Sequence, residues 1–234
     1  MTGRPLVLGH RGASAVAPEN TIAAFARARE LGADGVELDV RRSADGVLTL
    51  NHDPDVKGAG AVAQMTLAEI RAARPDVATL DEALDELRGL VINVEVKCLR
   101  WEPDADTDGS VMRATMDAVA AAAADSTIIV SSFDLPAVDL AHEYAPQVTT
   151  AWLTHGQEVS KVARIAADHG HAWLNPDVTS ALAGGRDAID AAHASGLRVS
   201  VWTVDDPDHA RALAAAGVDC IISNVPDVVI AALS

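Results

Sequence analysis

The chain has 234 residues, of which 49% are hydrophobic and 22% charged, so it is neither a disordered tail nor a fibrous repeat. This length allows one or two domains, and single α/β barrels commonly reach about 250 residues. The 34 acidic residues outnumber the 18 basic ones and give a formal net charge of −16. Nucleic acids and anionic membranes attract basic surfaces, so we expect neither as a stable partner.

Cysteine content and the N-terminal sequence indicate the cell compartment. Two cysteines, Cys98 and Cys220, are too few for a disulfide framework, and their spacing does not suggest a zinc site; whether either thiol is free stays open. Residues 1–8 lack the charged region and apolar stretch of a secretory signal. Every apolar run is shorter than the ~20 residues that span a bilayer. We therefore expect a cytoplasmic protein, and the sequence does not indicate its oligomeric state.

Short β-branched runs alternate with alanine-rich segments along the whole chain. The predicted strands are residues 6–9, 35–40, 91–97, 127–130, 148–152, 172–175, 197–202 and 220–222. The predicted helices are residues 21–31, 80–87, 110–124, 136–144, 158–169, 188–194, 207–216 and 227–233. Strict alternation predicts a parallel sheet, and eight repeats favour one (β/α)8 TIM barrel over residues 1–234. An open doubly wound sheet is the alternative, but no GxGxxG motif follows the first strand.

One segment, residues 41–79, interrupts this alternation. Residues 44–46 predict a turn that leads into a strand at 47–50, a glycine-rich stretch follows at 57–60, and a short helix is predicted near 67–73. We interpret the segment as a small insertion after the second strand, on the face where barrel enzymes carry their active sites. The composition does not change there, so no second domain is predicted.

Two acidic residues alternate with apolar ones in the second predicted strand. Val36, Leu38 and Val40 share one face of this strand and suit packing against helices. The same alternation places Glu37 and Asp39 together on the opposite face, inside the barrel. Two neighbouring carboxylates repel each other and are costly to bury without a cation.

The third predicted strand repeats this arrangement, with Glu95 and Lys97 alternating with Val94 and Val96. Inward carboxylates at Glu37, Asp39 and Glu95 suit one hard divalent cation, Mg²⁺ or Ca²⁺, with Mn²⁺ as a further option. No histidine alternates with these carboxylates on either strand, which argues against zinc. The alternative is structural, an internal ion pair of Lys97 with Glu95 or with Asp39.

Two histidines are predicted at the same end of the barrel. His10 and Arg11 follow the first strand, and His52 follows the strand of the insertion. Each alone is compatible with a solvated turn. Together with a cation site and Lys97 they provide what phosphodiester cleavage needs: positive charge to bind phosphate oxygens, and imidazoles to exchange protons with the nucleophile and leaving group.

Motifs along the whole chain carry a family resemblance. They are His10-Arg11-Gly12-Ala13-Ser14, Pro18-Glu19-Asn20-Thr21, Ala24-Phe25, Glu37-Leu38-Asp39-Val40, Asp45-Gly46, His52-Asp53, Thr79-Leu80-Asp81-Glu82, Glu95-Val96-Lys97, Ser131-Ser132-Phe133-Asp134, Val201-Trp202-Thr203-Val204 and Asn224-Val225-Pro226-Asp227. In this order, and above all in the first two motifs, the sequence resembles the glycerophosphodiester phosphodiesterase family.

The resemblance implies a metal-dependent (β/α)8 barrel that hydrolyses glycerophosphodiesters to glycerol 3-phosphate and an alcohol, an activity of lipid and glycerol metabolism. It implies that Glu37, Asp39 and Glu95 are the metal ligands. It also implies that His10 and His52 are the acid–base pair. The residues leave open whether water or the neighbouring glycerol hydroxyl attacks the phosphate, which histidine acts first as the base, and which alcohol leaves.

Further roles follow from the same resemblance. They are phosphate binding by Arg11 and Lys97, pocket lining by Phe133 and Trp202, and support of the first loop by Glu19 and Asn20. Asn20 is also a predicted N-cap of the helix that opens at Thr21.

Two features depart from the family pattern. The insertion after His52 is short and glycine-rich, which implies an altered choice of alcohol. Asn224 stands where an aspartate is common, and we expect its amide to bind the loop or water instead. Neither feature removes a predicted metal ligand or proton carrier.

Two other functions are compatible with these residues. The first is lipid phosphodiester hydrolysis of the lysophospholipase D type, which needs an apolar groove for an acyl chain; aromatic residues make up only 3% of the chain. The second is a barrel that binds a metal or phosphate without turnover. The presence of both histidines beside the three carboxylates favours an enzyme.

Overall fold

Eight parallel strands close into a barrel in the part of the chain that the computed structural model describes, residues 3–97, 99–100, 102, 104–122 and 126–234. The strands in chain order are β1 (Leu6–His10), β2 (Gly35–Arg42), β3 (Leu48–Leu50), β4 (Asp55–Val56), β5 (Gly60–Ala61), β6 (Val91–Val96), β7 (Thr127–Ser132), β8 (Thr149–Thr154), β9 (Trp173–Pro176), β10 (Arg198–Val201) and β11 (Cys220–Ser223). The order is β1-β11-β10-β9-β8-β7-β6-β2, and β1 also pairs with β2. This closure confirms the predicted TIM barrel and excludes the open sheet.

Helices surround the barrel. They are α1 (Ile22–Glu30), α2 (Leu67–Ala73), α3 (Leu80–Glu86), α4 (Ser110–Ala122), α5 (Leu135–Tyr144), α6 (Val159–Asp168), α7 (Val178–Ala194), α8 (Pro207–Ala216) and α9 (Pro226–Ala232), with a 3₁₀ turn at Val62–Gln64. Apolar residues on their inner faces pack against the outward-facing valines, leucines and isoleucines of the strands. Within the described residues, no helix is both long and apolar enough to cross a membrane.

Two predicted helix boundaries were wrong. The hydroxyl of Thr21 accepts the Ala24 N–H at 3.1 Å, so Thr21 rather than Asn20 is the N-cap of α1. The helix predicted at 188–194 begins ten residues earlier, at Val178. The pair Gly184-Gly185 is typical of a break in a helix, and Gly185 does kink α7 with a φ of 57°. The first half of α7 was therefore missed.

The insertion has the predicted outline. Strand β3 pairs with β2 in antiparallel fashion, with Val40 opposite Leu50, so a hairpin projects from the end of β2. Helix α2 covers the predicted residues, and Thr66 caps it with a reciprocal bond to Glu69. A small apolar cluster of Val56, Val62, Ile70 and Val77 holds the insertion together.

Residues that point into the barrel form an apolar floor beneath a polar mouth. The floor consists of Leu8, Ile129, Ala151, Trp173, Cys220 and Ile222. Cys220 is a free, buried cysteine, and burial raises the pKa of its thiol to about 12. Cys98 lies outside the described residues. The clustered carboxylates lie instead above this floor, at the carboxyl ends of the strands, where TIM barrels carry their chemistry.

Two glycines are required by close packing. A Cβ at Gly35 would lie 1.8 Å from the Val91 carbonyl oxygen, because β2 and β6 approach closely there. A Cβ at Gly12 would lie 2.6 Å from the Ala24 backbone, and its φ of +86° also favours glycine. Gly12 therefore lets the loop after β1 lie against α1.

Candidate active site

Strand register assembles the carboxylates at the barrel mouth. His10 on β1 pairs with Glu37 on β2, and Asp39 on β2 pairs with Glu95 on β6. One oxygen from each of Glu37, Asp39 and Glu95 lies within 4.8 Å of the others, and all three residues are buried. Three carboxylates that the sequence separates by up to 58 residues thus share one small volume.

Two cationic side chains lie against these carboxylates. Lys97 Nζ is 2.7 Å from Glu95 Oε1 and 3.3 Å from Asp39 Oδ1. Arg11 Nε is 3.2 Å from Asp39 Oδ2, and the Arg11 backbone N–H donates to Glu37 Oε2 at 3.0 Å. The ion pairs predicted as the structural alternative are thus formed, but two cations do not neutralise three carboxylates.

The pKa shifts of the carboxyl groups follow from this imbalance. Burial, together with the charges of Asp39 and Glu95, raises the pKa of Glu37 well above its ordinary value. Burial also raises the pKa of Glu95, to about 7, although Lys97 opposes the change. Burial acts on Asp39 as well, but Lys97 and Arg11 outweigh it and hold the pKa of that carboxyl well below its usual range. Without a further cation, the cluster relieves its repulsion by retaining protons.

The donor set fits a divalent cation. Glu37 Oε1 and Asp39 Oδ1 are buried and have no hydrogen-bond partner, although Lys97 Nζ lies near the second of them. A buried carboxylate oxygen without a partner is costly, and a cation would satisfy both oxygens at once. The set contains only oxygen donors, which Mg²⁺ and Ca²⁺ prefer. These three residues could therefore hold such an ion.

We expect the Glu95→Gln variant to gain stability over the wild-type protein as pH rises, when both are free of metal. A carboxyl group with a raised pKa stabilises the folded state below its unfolded pKa, and that contribution is lost as pH rises through about 7. His10, whose pKa is lowered, acts in the opposite direction in both proteins and cancels in the comparison. The difference therefore reports Glu95 together with the part of the Glu37 shift that the charge of Glu95 causes, which has the same sign. In thermal melts with chelator, the Tm of the variant relative to wild type should increase by about 5 °C between pH 5 and pH 7.5. A pH-independent Tm difference would contradict the raised pKa.

Asn224 determines which nitrogen of His10 carries the proton. Its Nδ2 donates to Asp205 Oδ2 at 2.6 Å, which turns its amide oxygen toward His10 Nδ1 at 2.7 Å. That oxygen can only accept, so Nδ1 donates and Nε2 keeps its lone pair, 3.9 Å from Glu37 Oε2. Burial, and then Arg11, lowers the pKa of His10 and favours the neutral ring. The expectation that Asn224 binds only the loop or water was therefore incomplete.

His52 follows β3 at the base of the hairpin, next to the barrel end of β2, and a buried arginine holds its backbone. Its Nδ1 is 2.7 Å from Asp53 Oδ1, and 36% of its side chain is exposed. Arg41 Nε and Nη2 donate to the His52 carbonyl at 3.0 and 2.7 Å. Arg41 is buried and pairs with Glu102 at 2.9 Å and Asp104 at 2.6 Å. The prediction omitted Arg41, although the alternation that selects the two carboxylates of β2 also selects it.

The first loop supports the carboxylates through Arg11 and Asn20. Both residues have positive φ, 55° and 56°. The Asn20 side chain donates to Asp39 Oδ2 at 2.8 Å and accepts the Asp39 backbone N–H at 3.1 Å. Glu19 accepts from Arg11 Nη1 at 2.9 Å. Asn20 therefore fixes a carboxylate rather than a helix end, which explains why its predicted capping role was wrong.

Phe133 and Trp202 lie together beside a cavity. Their rings meet edge to face, with centroids 5.3 Å apart. With Leu99, Leu153 and His155 they line a cavity of about 520 Å³. Because Phe133, Leu153 and Trp202 follow or end barrel strands, this cavity opens at the same end of the barrel as the carboxylates. His155 covers the Trp202 ring from its exposed loop.

Comparison with known proteins identifies the family. A sequence profile of the glycerophosphoryl diester phosphodiesterase family matches residues 10–228. A glycerophosphodiester phosphodiesterase of Caldanaerobacter subterraneus subsp. tengcongensis is 29% identical over 97% of both chains. The glycerophosphodiester phosphodiesterase structure from Thermotoga maritima superposes with a TM-score of 0.81 at 26% identity, covering 99% of both chains.

A third protein shares the fold at lower identity. It is a phosphodiesterase of Oleispira antarctica, solved with the product sn-glycerol-3-phosphate, with a TM-score of 0.85, 23% identity, and coverage of 98% of this chain and 96% of that one. The family profile spans most of the present chain, and the fold matches along its length. The chain therefore belongs to the glycerophosphoryl diester phosphodiesterase family and is a phosphoric diester hydrolase.

Proposed function

We propose that the protein hydrolyses glycerophosphodiesters to glycerol 3-phosphate and an alcohol, with one divalent cation and two histidines. The observation that carries this proposal is the cluster of three buried carboxylates, which faces Nε2 of His10. Two carboxylate oxygens of this cluster lack a hydrogen-bond partner. Family membership supports the substrate class, as does the glycerol 3-phosphate described as product in the Oleispira protein.

Glu37, Asp39 and Glu95 would hold the cation, Mg²⁺ or Ca²⁺, with Mn²⁺ as a further option. When bound, the cation supplies positive charge for the phosphate and lowers the pKa of the attacking oxygen. Ionised, the three carboxylates exceed Lys97 and Arg11 by one negative charge. A divalent cation reverses the sign of this excess, so the mouth becomes complementary to a singly charged phosphodiester.

The two histidines would move the protons. His10 would accept a proton at Nε2 from the attacking oxygen, since Asn224 holds the other nitrogen as a donor and burial keeps the ring neutral. His52, on its exposed hairpin with Nδ1 against Asp53, would donate a proton to the leaving alcohol. This division of labour applies to direct attack by water and to the first step of attack by the neighbouring hydroxyl of the glycerol. In that second route water must then open the cyclic phosphate, with His52 as the base and His10 as the acid.

Binding of the substrate would use the remaining predicted residues. Arg11 and Lys97 would contact phosphate oxygens, and their positions against the carboxylates orient both cations toward the mouth. Phe133 and Trp202 would cover the carbon skeleton of the glycerol or the alcohol. Glu19 would support these contacts by fixing the guanidinium of Arg11.

The direct test measures glycerol 3-phosphate released from glycerophosphocholine and glycerophosphoethanolamine. The protein is stripped with EDTA and then supplied separately with Mg²⁺, Ca²⁺ or Mn²⁺. We expect release with at least one of these ions, and no release of alcohol from a dialkyl phosphodiester that lacks glycerol. Absence of product with every ion would refute the proposed activity, and release that survives thorough chelation would refute only its metal dependence.

A second candidate substrate is a lysophospholipid, and the cavity beside Phe133 and Trp202 is the observation that favours it. Leu99 and Leu153 add apolar surface to the two aromatic rings, as an acyl chain requires. Rates on lysophosphatidylcholine and glycerophosphocholine distinguish the two substrates. We expect the deacylated compound to react faster, and a preference for the acylated one would replace the proposed substrate.

Replacement of Asn224 by alanine should lower kcat about tenfold and leave KM nearly unchanged. One hydrogen bond of about 1–1.5 kcal/mol then no longer selects the reactive tautomer of His10, and 1.36 kcal/mol corresponds to tenfold in rate. Steady-state kinetics over pH 5–9 provide the measurement. Asn93→Ala is the matched control, because the Asn93 side chain donates to Ser131 inside the barrel instead of binding a histidine. Equal losses in both variants would argue against a positioning role.

Replacement of Trp202 by alanine should raise KM by about tenfold with a smaller effect on kcat, since the lost apolar contact is of the order of 1.5 kcal/mol. The Nε1 of Trp202 donates to the Asn175 carbonyl at 2.9 Å, so Trp202→Phe removes this bond but keeps an aromatic surface. We expect Trp202→Phe to retain a KM close to wild type. Michaelis–Menten curves for both variants decide the point, and an unchanged KM in Trp202→Ala would place the substrate elsewhere.

A further inference from the structure

A second group of metal-ligating side chains lies outside the barrel. Among the described residues, the structure contains two groups of three His, Cys, Asp or Glu residues whose ligand atoms lie within 4.8 Å of one another. One is the carboxylate cluster at the mouth. The other consists of Asp139 on α5, His169 at the end of α6, and His171 just before β9. The proposed hydrolase reaction does not use this second group.

One carboxylate oxygen of Asp139 faces two imidazole nitrogens. Asp139 Oδ1 is 2.9 Å from His169 Nδ1 and 3.1 Å from His171 Nε2. The two rings are stacked, with centroids 6.2 Å apart and planes inclined by 29°. Ligand atoms of a tetrahedral zinc site, with bonds of about 2.0–2.1 Å, lie about 3.3 Å apart. The observed spacing is therefore close to that of a preformed site.

The burial of His171 favours a ligand role. The side chain of His171 is fully buried, whereas 39% of the His169 side chain and 29% of the Asp139 side chain are exposed. One ligand is therefore held in the protein interior, and the other two are accessible to an ion from solvent. His171 Nδ1 lies 3.1 Å from the hydroxyl of Thr150. A hydroxyl can accept the Nδ1 proton when Nε2 binds a metal, which is how metal-ligating histidines are usually oriented.

A fourth ligand position is available beside these three. The His142 ring lies edge to face with that of His171, with centroids 6.0 Å apart. Gly170 makes room for it, because a Cβ at that position would lie 3.1 Å from His142 Nε2. The fourth ligand is then His142, after a change of its side-chain angles, or a water molecule.

We propose that Asp139, His169 and His171 bind one Zn²⁺-class ion that ties α5 and α6 to the start of β9. Two imidazoles and one carboxylate suit Zn²⁺ or a similar transition metal, unlike the all-oxygen mouth cluster. His171 precedes a strand and Thr150 lies near the start of β8, so the group is at the amino-terminal end of the barrel. Residues at that end of a TIM barrel serve stability. We therefore assign the ion a structural role.

The competing explanation is that Asp139 only accepts two hydrogen bonds. The chain contains a second histidine–aspartate contact of similar length and exposure. His193 Nε2 lies 2.9 Å from Asp219 Oδ2, and 35% of the His193 side chain and 30% of the Asp219 side chain are exposed. That pair is not part of either three-residue group found among the described residues. A variant at His193 therefore controls for loss of an exposed histidine–aspartate contact.

The test is calorimetric titration of the EDTA-stripped full chain with Zn²⁺, together with the visible absorption of bound Co²⁺. The parent protein for this test carries Glu37→Gln, a substitution that weakens metal binding at the mouth cluster. One equivalent of Zn²⁺ should still bind to this protein and raise its Tm. His169→Ala should weaken that binding by at least about 100-fold, because loss of supporting contacts alone costs 10–100-fold. His193→Ala should bind as the parent protein does, and Thr150→Val should weaken binding by about 10–100-fold.

Asp139→Asn separates ligation from folding, since an amide retains a hydrogen-bond acceptor but is a poor ligand. We expect this variant to fold and to lose the Zn²⁺-dependent rise in Tm. Unchanged Zn²⁺ binding in His169→Ala or in Asp139→Asn would overturn the proposal, as would equal losses in His193→Ala. Phosphodiesterase activity should be unaffected by His169→Ala, so the outcome is independent of the proposed function.

Discussion

Replacement of His10 by alanine is expected to lower kcat by about two to four orders of magnitude, the range typical of a lost general acid or base. The structure gives the physical reason: Asn224 leaves Nε2 of His10 unprotonated, and that nitrogen faces the carboxylate cluster. The measurement is the rate of glycerol 3-phosphate release at saturating substrate. His52→Ala should lower kcat within the same range, because its predicted role is the complementary proton transfer.

Two observations would distinguish a chemical role from a structural one. Added imidazole should partly restore the activity of His10→Ala, since the truncated side chain leaves space beside the mouth. The surface variant His193→Ala should keep the wild-type rate, because its ring bonds to Asp219 on the outside of the barrel. A decrease of less than tenfold in both His10→Ala and His52→Ala would contradict the assignment of these residues as the acid–base pair.

Replacement of Glu37 by glutamine is expected to lower kcat/KM at least about 100-fold and yet leave the stability of the metal-free protein unchanged. Burial and the charges of Asp39 and Glu95 raise the pKa of Glu37 and so favour its neutral form in the metal-free protein, which is why an amide of the same shape should cost little. An amide is a weaker ligand for a divalent cation, and under the proposed mechanism several kcal/mol of transition-state stabilisation would come from that cation. Kinetics at increasing Mg²⁺, Ca²⁺ or Mn²⁺ and thermal melts in chelator measure the two effects.

The contrast between these measurements is the critical part of the experiment. Glu30→Gln on the exposed face of α1 is the matched control, and it should change neither kcat/KM nor the Tm in chelator. A Tm of metal-free Glu37→Gln that is lower by more than about 5 °C would indicate that the carboxylate itself supports the fold. Full activity at ordinary ion concentrations would show that Glu37 is not a ligand.

The sequence predicted the parts of the site that depend on alternation within one strand. Glu37 and Asp39 share a face of β2, as period-two spacing requires, and Glu95 and Lys97 do so on the neighbouring β6. The barrel itself followed from eight repeats of strand and helix. These features are local or periodic, so they are visible without knowledge of which strands pair.

Other features depend on contacts between distant segments, and the sequence could not predict them. Asn20 was expected to support the first loop and to cap α1, but its partner was not predicted: its amide binds Asp39, 19 residues away. The contact between Asn224 and His10 spans 214 residues and depends on β1 lying next to β11. The group around Asp139 likewise forms only because α5 and α6 are neighbours on the outside of the barrel.

The buried Arg41 has a consequence for exchanging loops between relatives to change substrate preference. Its guanidinium joins the His52 carbonyl of the hairpin to Glu102 and Asp104, which lie between β6 and α4. A hairpin transplanted with Arg41 but without both acids would bury an unpaired charge, a change that commonly costs 3–5 kcal/mol. Grafts that transfer the two segments together should fold, whereas grafts of either one alone should not, so the natural unit of recombination at this mouth is a pair of loops.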